Sequence, residues 1–194
     1  IKPQRYEQLS STTKSDVVRL SLLFNYGGIW MDASVVLKEN FDWLEKYSEY
    51  PLYAFKLGRH KYIESWFISV PRPKSEIILK WIQCLNEILD TQPHSAHVAY
   101  CNPCTSNGDY FMIYQAYCYL LQSDPNFLRV IQPIPFGSGD DNMFPYHKPN
   151  LGHMVKYTKF DRTWGKHIPF PTIYVAFLIV ILVSSQRLRS KRTM

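Results

Sequence analysis

The chain has 194 residues, 46% hydrophobic and 15% aromatic, enough for one folded domain with a substantial core; this composition excludes a disordered chain. Its net charge of +6 comes from 22 basic and 16 acidic residues, which raises the question of nucleic acid. Arg187, Arg189, Lys191 and Arg192 carry much of that excess; without them the balance is 18 to 16, so the basicity belongs to a tail and no nucleic-acid partner is expected.

Residues 1–13 are polar and read as a loop or frayed linker. A helix is expected from about Lys14, with Ser15 as N-cap and Asp16 in the first turn, where its charge suits the helix dipole. Val17, Leu20 and Phe24 recur at helical spacing and should be buried, while Asp16 and Arg19 share a different face. Gly27 and Gly28 stop the helix, because glycine tolerates the conformation a C-cap needs. Ile29, Trp30 and Met31 form a short apolar strand that ends on Asp32, the kind of position where open α/β sheets bind ligands.

Val35–Leu37 continues the extended path, and Phe41–Leu44 reads as a turn or short helix. Pro51–Leu57 and Trp66–Val70 read as strands, the second ended by Pro71 and Pro73. Ser75–Leu89 is a helix by its spacing of Ile77, Ile78, Trp81, Ile82, Leu85, Ile88 and Leu89. Residues 91–107 are loop-like, Asp109–Leu121 is a second helix stopped by Asp124-Pro125-Asn126, and Ile131–Phe136 is a candidate edge strand. Gly137–Gly152 is irregular and polar. Alternating short strands and helices place the chain in the α/β class.

Ile168–Ser185 contains no charge and, at about 18 residues, is near the lower end of the roughly 17–25 needed to cross a bilayer. It is read as a transmembrane helix between a domain at 1–167 and a basic tail at 186–194; the alternative is a buried C-terminal strand or helix. Cys101-Asn-Pro-Cys104 has CxxC spacing without a second pair nearby for zinc. With Cys84 and Cys118 it is expected to give ordinary thiols or one lumenal disulfide. Trp66 is read as core in preference to an acceptor platform, and Glu64 as either an ion-pair partner or a site residue.

Two spaced elements carry the functional reading: Ser15-Asp16-Val-Val-Arg19, then Tyr26-Gly27-Gly28-Ile-Trp30-Met-Asp32. In them the chain resembles the glycosyltransferases with a DXD sugar-binding motif, which include the capsular polysaccharide synthesis proteins and the yeast outer-chain alpha-mannosyltransferases. The likeness runs over roughly residues 12–160 and includes Glu64–Ile68, Asp109-Tyr110-Phe111 and Val155–Lys159. It implies a GT-A-type, Rossmann-like nucleotide-sugar transferase domain. Relatives carry an N-terminal segment that supplies the first strand, so a chain starting at Ile1 is expected to be N-terminally incomplete.

The resemblance implies transfer of a hexose from a nucleotide diphosphate sugar to a glycan or lipid-linked acceptor, with retained configuration. The diphosphate leaving group builds negative charge, which a divalent cation offsets, and its hard oxygens suit Mn²⁺ or Mg²⁺. Donor binding falls to Asp16, Arg19, Tyr26, Gly27, Gly28, Asp32 and Ser34. Asp16 would accept from sugar hydroxyls, Arg19 would present its fork of donors, and the glycines would allow close backbone approach. Asp32 matches the first metal-binding carboxylate, while Ser34 stands where the second would be; a hydroxyl is the poorer ligand, so Asp109, His147 and His153 are further candidates. No catalytic base is identified. The expected location is a membrane, by a single C-terminal anchor, in the Golgi or endomembranes if the source is eukaryotic. The alternatives are a non-catalytic sugar-nucleotide-binding relative and a membrane-anchored interaction protein.

Overall fold

The structure is a computed structural model that describes residues 1–58, 60–91, 111–144 and 152–157. The first helix, α1, runs Ser11–Tyr26. Its cap is Ser10, whose side chain accepts from Thr13 N at 3.2 Å, so the helix starts earlier than the expected Ser15. Asp16 therefore lies in the body of α1, not in its first turn, and both Asp16 and Arg19 are buried alongside Val17, Leu20 and Leu23. A short 3₁₀ turn at Tyr6–Gln8 precedes the helix within the segment read as a loop.

Gly27 ends α1 at φ +67°, a backbone conformation that side chains rarely adopt. A Cβ there would also meet Val70 O at 3.0 Å and Pro73 N at 3.1 Å. The strands are β1 (Gly28–Met31), β2 (Val35–Leu37), β3 (Tyr53–Lys56) and β4 (Phe67–Val70), with a 3₁₀ segment at Asp42–Tyr47 between the second and third. Helix α2 spans Glu76–Asp90 and buries every apolar residue named from its spacing. Helix α3 spans Met112–Ser123.

Asp124-Pro125-Asn126 does end α3, but it also starts a further helix, α4 (Pro125–Ile131). Asp124 accepts from Asn126 N at 2.9 Å and Phe127 N at 3.0 Å, and Pro125 sits where its missing N–H costs nothing. The expected edge strand at Ile131–Phe136 is thus replaced. Pro133 and Pro135 lack ladder donors, and pairing begins only at β5 (Gly137–Ser138). The remaining strands are β6 (Met143–Phe144) and β7 (Met154–Tyr157).

The strands form two sheets, ordered β1-β4-β3-β5 and β2-β7-β6. Pairing is antiparallel for β1–β4, β3–β4 and β2–β7, and parallel for β3–β5 and β6–β7. Alternation along the first sheet separates two cores. Trp30, Ala54, Ile68 and Val70 face the four helices. Ile29, Tyr53, Phe55 and Phe67 face the second sheet, with Val35, Met143 and Met154. Trp66 belongs to this second core, stacked on Phe55 with ring centroids 5.0 Å apart. Across the helical layer, Trp81 Nε1 donates to Ile113 O at 2.8 Å and ties α2 to α3.

The mixed α/β class stands. Among the described residues no helix is long and apolar enough to cross a membrane; the segment 168–185 lies outside them, as do residues 92–110 with Cys101 and Cys104. Cys118 is disulfide-bonded, and Cys84 is a free thiol whose burial pushes it up to about 12, so it stays protonated and inert.

Candidate active site

Asp32 stands where the chain leaves one sheet for the other. Its N–H donates to Trp66 O at 2.9 Å, extending the β1–β4 ladder by one rung. Its carbonyl accepts from Val35 N at 3.0 Å, closing the turn into β2. Both ends of the peptide are therefore fixed, and the carboxylate is aimed by backbone.

Three elements converge on that carboxylate. Trp30 Nε1 donates to Asp32 Oδ1 at 3.0 Å, from two residues back along β1. Arg19, from α1, donates through Nη2 to the same oxygen at 3.3 Å. Lys156, from β7, donates through Nζ to Oδ2 at 3.1 Å and also to Ser34 Oγ. The register places Lys156 opposite Val35, so the second sheet brings its ammonium to the Asp32–Ser34 turn.

Arg19 is the hub of the buried side. Its Nη1 donates to Ser65 O at 2.8 Å and lies 3.3 Å from Asp16 Oδ1, one helical turn away. Its guanidinium sits over the Trp30 ring, 5.0 Å from the centroid. Its Nε is buried without an acceptor among the described residues. Burial pushes the Asp16 carboxyl up to about 6; Arg19 pulls it down, and the charge of Asp32 pushes it up again. Ser65 extends the network through its hydroxyl, 2.8 Å from the Tyr114 hydroxyl on α3. Next to it, Glu64 is buried with His60 Nδ1 at 3.0 Å.

Asp16, Arg19, Asp32 and Ser34 are thus brought together. Asp16 and Arg19 have side chains only 5% and 6% exposed, against 25% for Asp32. In this arrangement the pair holds Asp32 in place, and Asp32 is the residue with surface to offer a ligand. Tyr26, Gly27 and Gly28 are not in the cluster. Tyr26 is exposed at the end of α1, about 15 Å along the axis from Asp16 at the usual helical rise. Gly27 precedes and Gly28 begins β1 at the end remote from Asp32, and the close approach at Gly27 is to the backbone at the end of β4 and just after it.

His153 is engaged elsewhere: its ring stacks on Trp43 at 4.0 Å, and its Nδ1 pairs with Glu39. Asp109 and His147 lie outside the described residues. Among the described residues no group of three His, Cys, Asp or Glu could hold a metal ion. Among the described residues the donor set does not fit a divalent cation. Both oxygens of Asp32 already accept from cationic or indole donors, and the Ser34 hydroxyl is joined to Lys156. These side chains hold an ammonium.

Comparison with known proteins bears on what such a cluster serves. A family described as capsular polysaccharide synthesis protein matches residues 1–135. The chain belongs to that family. The chain is also similar to inositol phosphoceramide mannosyltransferase 1 of Schizosaccharomyces pombe (strain 972 / ATCC 24843). The two are 26% identical over 173 residues, which cover 87% of this chain and 51% of the relative. The chain thus spans about half the length of the curated relative it matches. No solved structure matches it.

Lys156 is the site residue that sequence reasoning missed. It falls within the Val155–Lys159 likeness, yet as a charge in the sequence it reads only as part of a basic flank before the apolar segment. The signal that could have found it is a single lysine between apolar and aromatic neighbours in a strand, where a charge needs a partner. Trp30 was likewise read as strand core, and its indole N–H carries the second role.

Proposed function

We propose that this chain is the donor-site portion of a glycosyltransferase that moves a hexose from a nucleotide diphosphate sugar to a glycan or lipid-linked acceptor. The observation that carries the reading is the convergence of α1, β1 and β7 on Asp32, the carboxylate that ends β1. Family membership supports transfer of a glycosyl group. The name of the yeast relative, a mannosyltransferase, supports a hexose as the group moved.

A carboxylate fixed by an arginine and an indole is a rigid acceptor for sugar hydroxyls, while the Lys156 ammonium beside it opposes the charge that develops on the departing diphosphate. Catalysis of this kind is positioning and electrostatics, with no protein nucleophile required. The GT-A-like fold, retained anomeric configuration and attachment to a membrane by residues 168–185 belong to the same reading. They are supported by the motif and the uncharged segment in the sequence.

The test is transfer or hydrolysis of a panel of nucleotide diphosphate hexoses, comparing wild type with Asp32→Asn. The variant keeps the shape and an acceptor for Trp30 but loses the charge. A loss of about 10²–10³-fold in turnover is expected, the usual scale for one preorganised electrostatic contact. Equal turnover in the two proteins would remove Asp32 from the mechanism and sink the reading.

A further inference from the structure

We infer that the Lys156 ammonium takes the position expected of a divalent ion at Asp32 and Ser34, so that it meets the donor diphosphate itself and donor binding requires no added metal. The inference rests on the donor-transfer reading above and names the cation that reading needs.

The acceptors of the ammonium decide the matter. Lys156 Nζ donates to Asp32 Oδ2 at 3.1 Å and to Ser34 Oγ. These are the two positions from which a DXD motif would offer its carboxylates. Two carboxylates carry two negative charges and suit a dication. One carboxylate and one hydroxyl carry a single negative charge and suit one ammonium. The serine at position 34 and the lysine at position 156 thus match each other in charge.

The lysine is also held like a fixed part. It stands on β7, the middle strand of its sheet, opposite Val35 on one side and Met143 on the other. Its backbone N–H donates to Asn142 O at 2.7 Å. Asn142 is itself buried and clamps the neighbourhood, accepting from Met154 N at 3.1 Å and donating to Ser138 O at 2.9 Å. An ammonium has three N–H groups. Two are committed to Asp32 and Ser34, and the third has no acceptor among the described residues, which leaves it to a phosphate oxygen. Arg19 takes no such role, because its side chain is buried and occupied by Asp16, Asp32 and Ser65.

In the transfer, the bond from the anomeric carbon to the diphosphate oxygen breaks, and its electron pair leaves with that oxygen. The acceptor hydroxyl oxygen forms the new bond to the anomeric carbon, and its proton passes to the released diphosphate. Lys156 contributes charge and one hydrogen bond.

The test is calorimetric titration of UDP and of GDP into the metal-stripped full chain, in EDTA and again with Mn²⁺. Wild type, Lys156→Gln and Lys156→Arg are compared, and thermal melts check that each is folded. Wild type should bind one of the nucleotides in EDTA, with affinity unchanged by Mn²⁺. Lys156→Gln should bind about tenfold more weakly or worse in EDTA, the scale of one charge-assisted hydrogen bond, and Lys156→Arg should retain most of the affinity. Direct titration with Mn²⁺ alone, followed by electron paramagnetic resonance, should give no site in wild type. Nucleotide binding by wild type only when Mn²⁺ is present overturns the inference and leaves the transferase reading standing, a comparison that needs no variant. Equal affinity of wild type and Lys156→Gln in EDTA also overturns it. If wild type binds neither nucleotide under either condition, the donor reading fails and this inference fails with it.

Discussion

Arg19 Nη2 reaches Asp32 Oδ1 at 3.3 Å, joining the body of α1 to the end of β1 across the turn made by Gly27 and Gly28. The same guanidinium neutralises Asp16 and caps the carbonyl of Ser65, so one side chain compensates two carboxylates and a strand end. Its replacement by alanine leaves Asp16 buried without a cation. Breaking a buried pair from one side typically costs about 3–5 kcal/mol. Arg19→Ala should lower the unfolding free energy by that order at pH 7.5, read as a lower urea midpoint with the slope unchanged, and Arg19→Lys should recover part of the loss. A midpoint within error of wild type would mean that the pair is solvated.

The pH dependence of stability has a definite sign. Asp16 titrates near 6 in the folded chain against an ordinary 3.8. Between those values the folded state holds a proton that the unfolded state has released. Stability from this group is therefore fully present below the unfolded value, falls as pH rises through the window, and is flat above about 6. The total is about 3 kcal/mol at roughly 1.4 kcal/mol per unit. Asp16→Asn cannot ionise, so its stability relative to wild type should improve from pH 4 to pH 7. Denaturant curves of the two proteins that run parallel over this range would show that Asp16 does not titrate there.

Gly27→Ala tests what the paired glycines are for. At φ +67°, with Val70 O 3.0 Å from the added carbon, the substitution should cost about 1–3 kcal/mol, read as a lower melting temperature. Nucleotide affinity of the fraction that remains folded should be near wild type, because Gly27 lies at the opposite end of β1 from Asp32. Loss of affinity with an unchanged melting temperature would instead place Gly27 against the donor.

Trp30→Phe keeps an aromatic ring over Arg19 and removes the N–H that binds Asp32 Oδ1. A cost of about 1 kcal/mol is expected from that hydrogen bond. Donor affinity should fall with it, since Asp32 is then held on this oxygen by Arg19 alone. Unchanged affinity would show that Arg19 suffices.

Much of this fold was legible in the sequence. Helix α2 follows its apolar period, and β1, β3 and β4 follow short apolar runs bounded by glycine and proline. Asp16, Arg19, Asp32 and Ser34 were legible as a group because they lie on consecutive elements. What was not legible was non-local. The α1 start was misplaced because four hydroxyl residues in a row offer several caps, and Ser10 is the one whose oxygen reaches an N–H. The burial of Asp16 and Arg19 does not show in a helical period, which sorts apolar from polar and gives no sign of charges that neutralise each other inside. Residue 156 has no local feature that points to residue 32; only the register of two strands does so.

The pairing of β2 with β7 has a consequence for how the site comes into being. Asp32 and Lys156 are 124 residues apart, so their contact is among the late closures of the chain, and loop entropy opposes it until the rest of the core is in place. The half built from α1, β1 and β4 lies within residues 11–70 and closes over shorter separations. A protein ended after residue 135, where the family match stops, would keep the carboxylate and lose its cation together with the strand that delivers it.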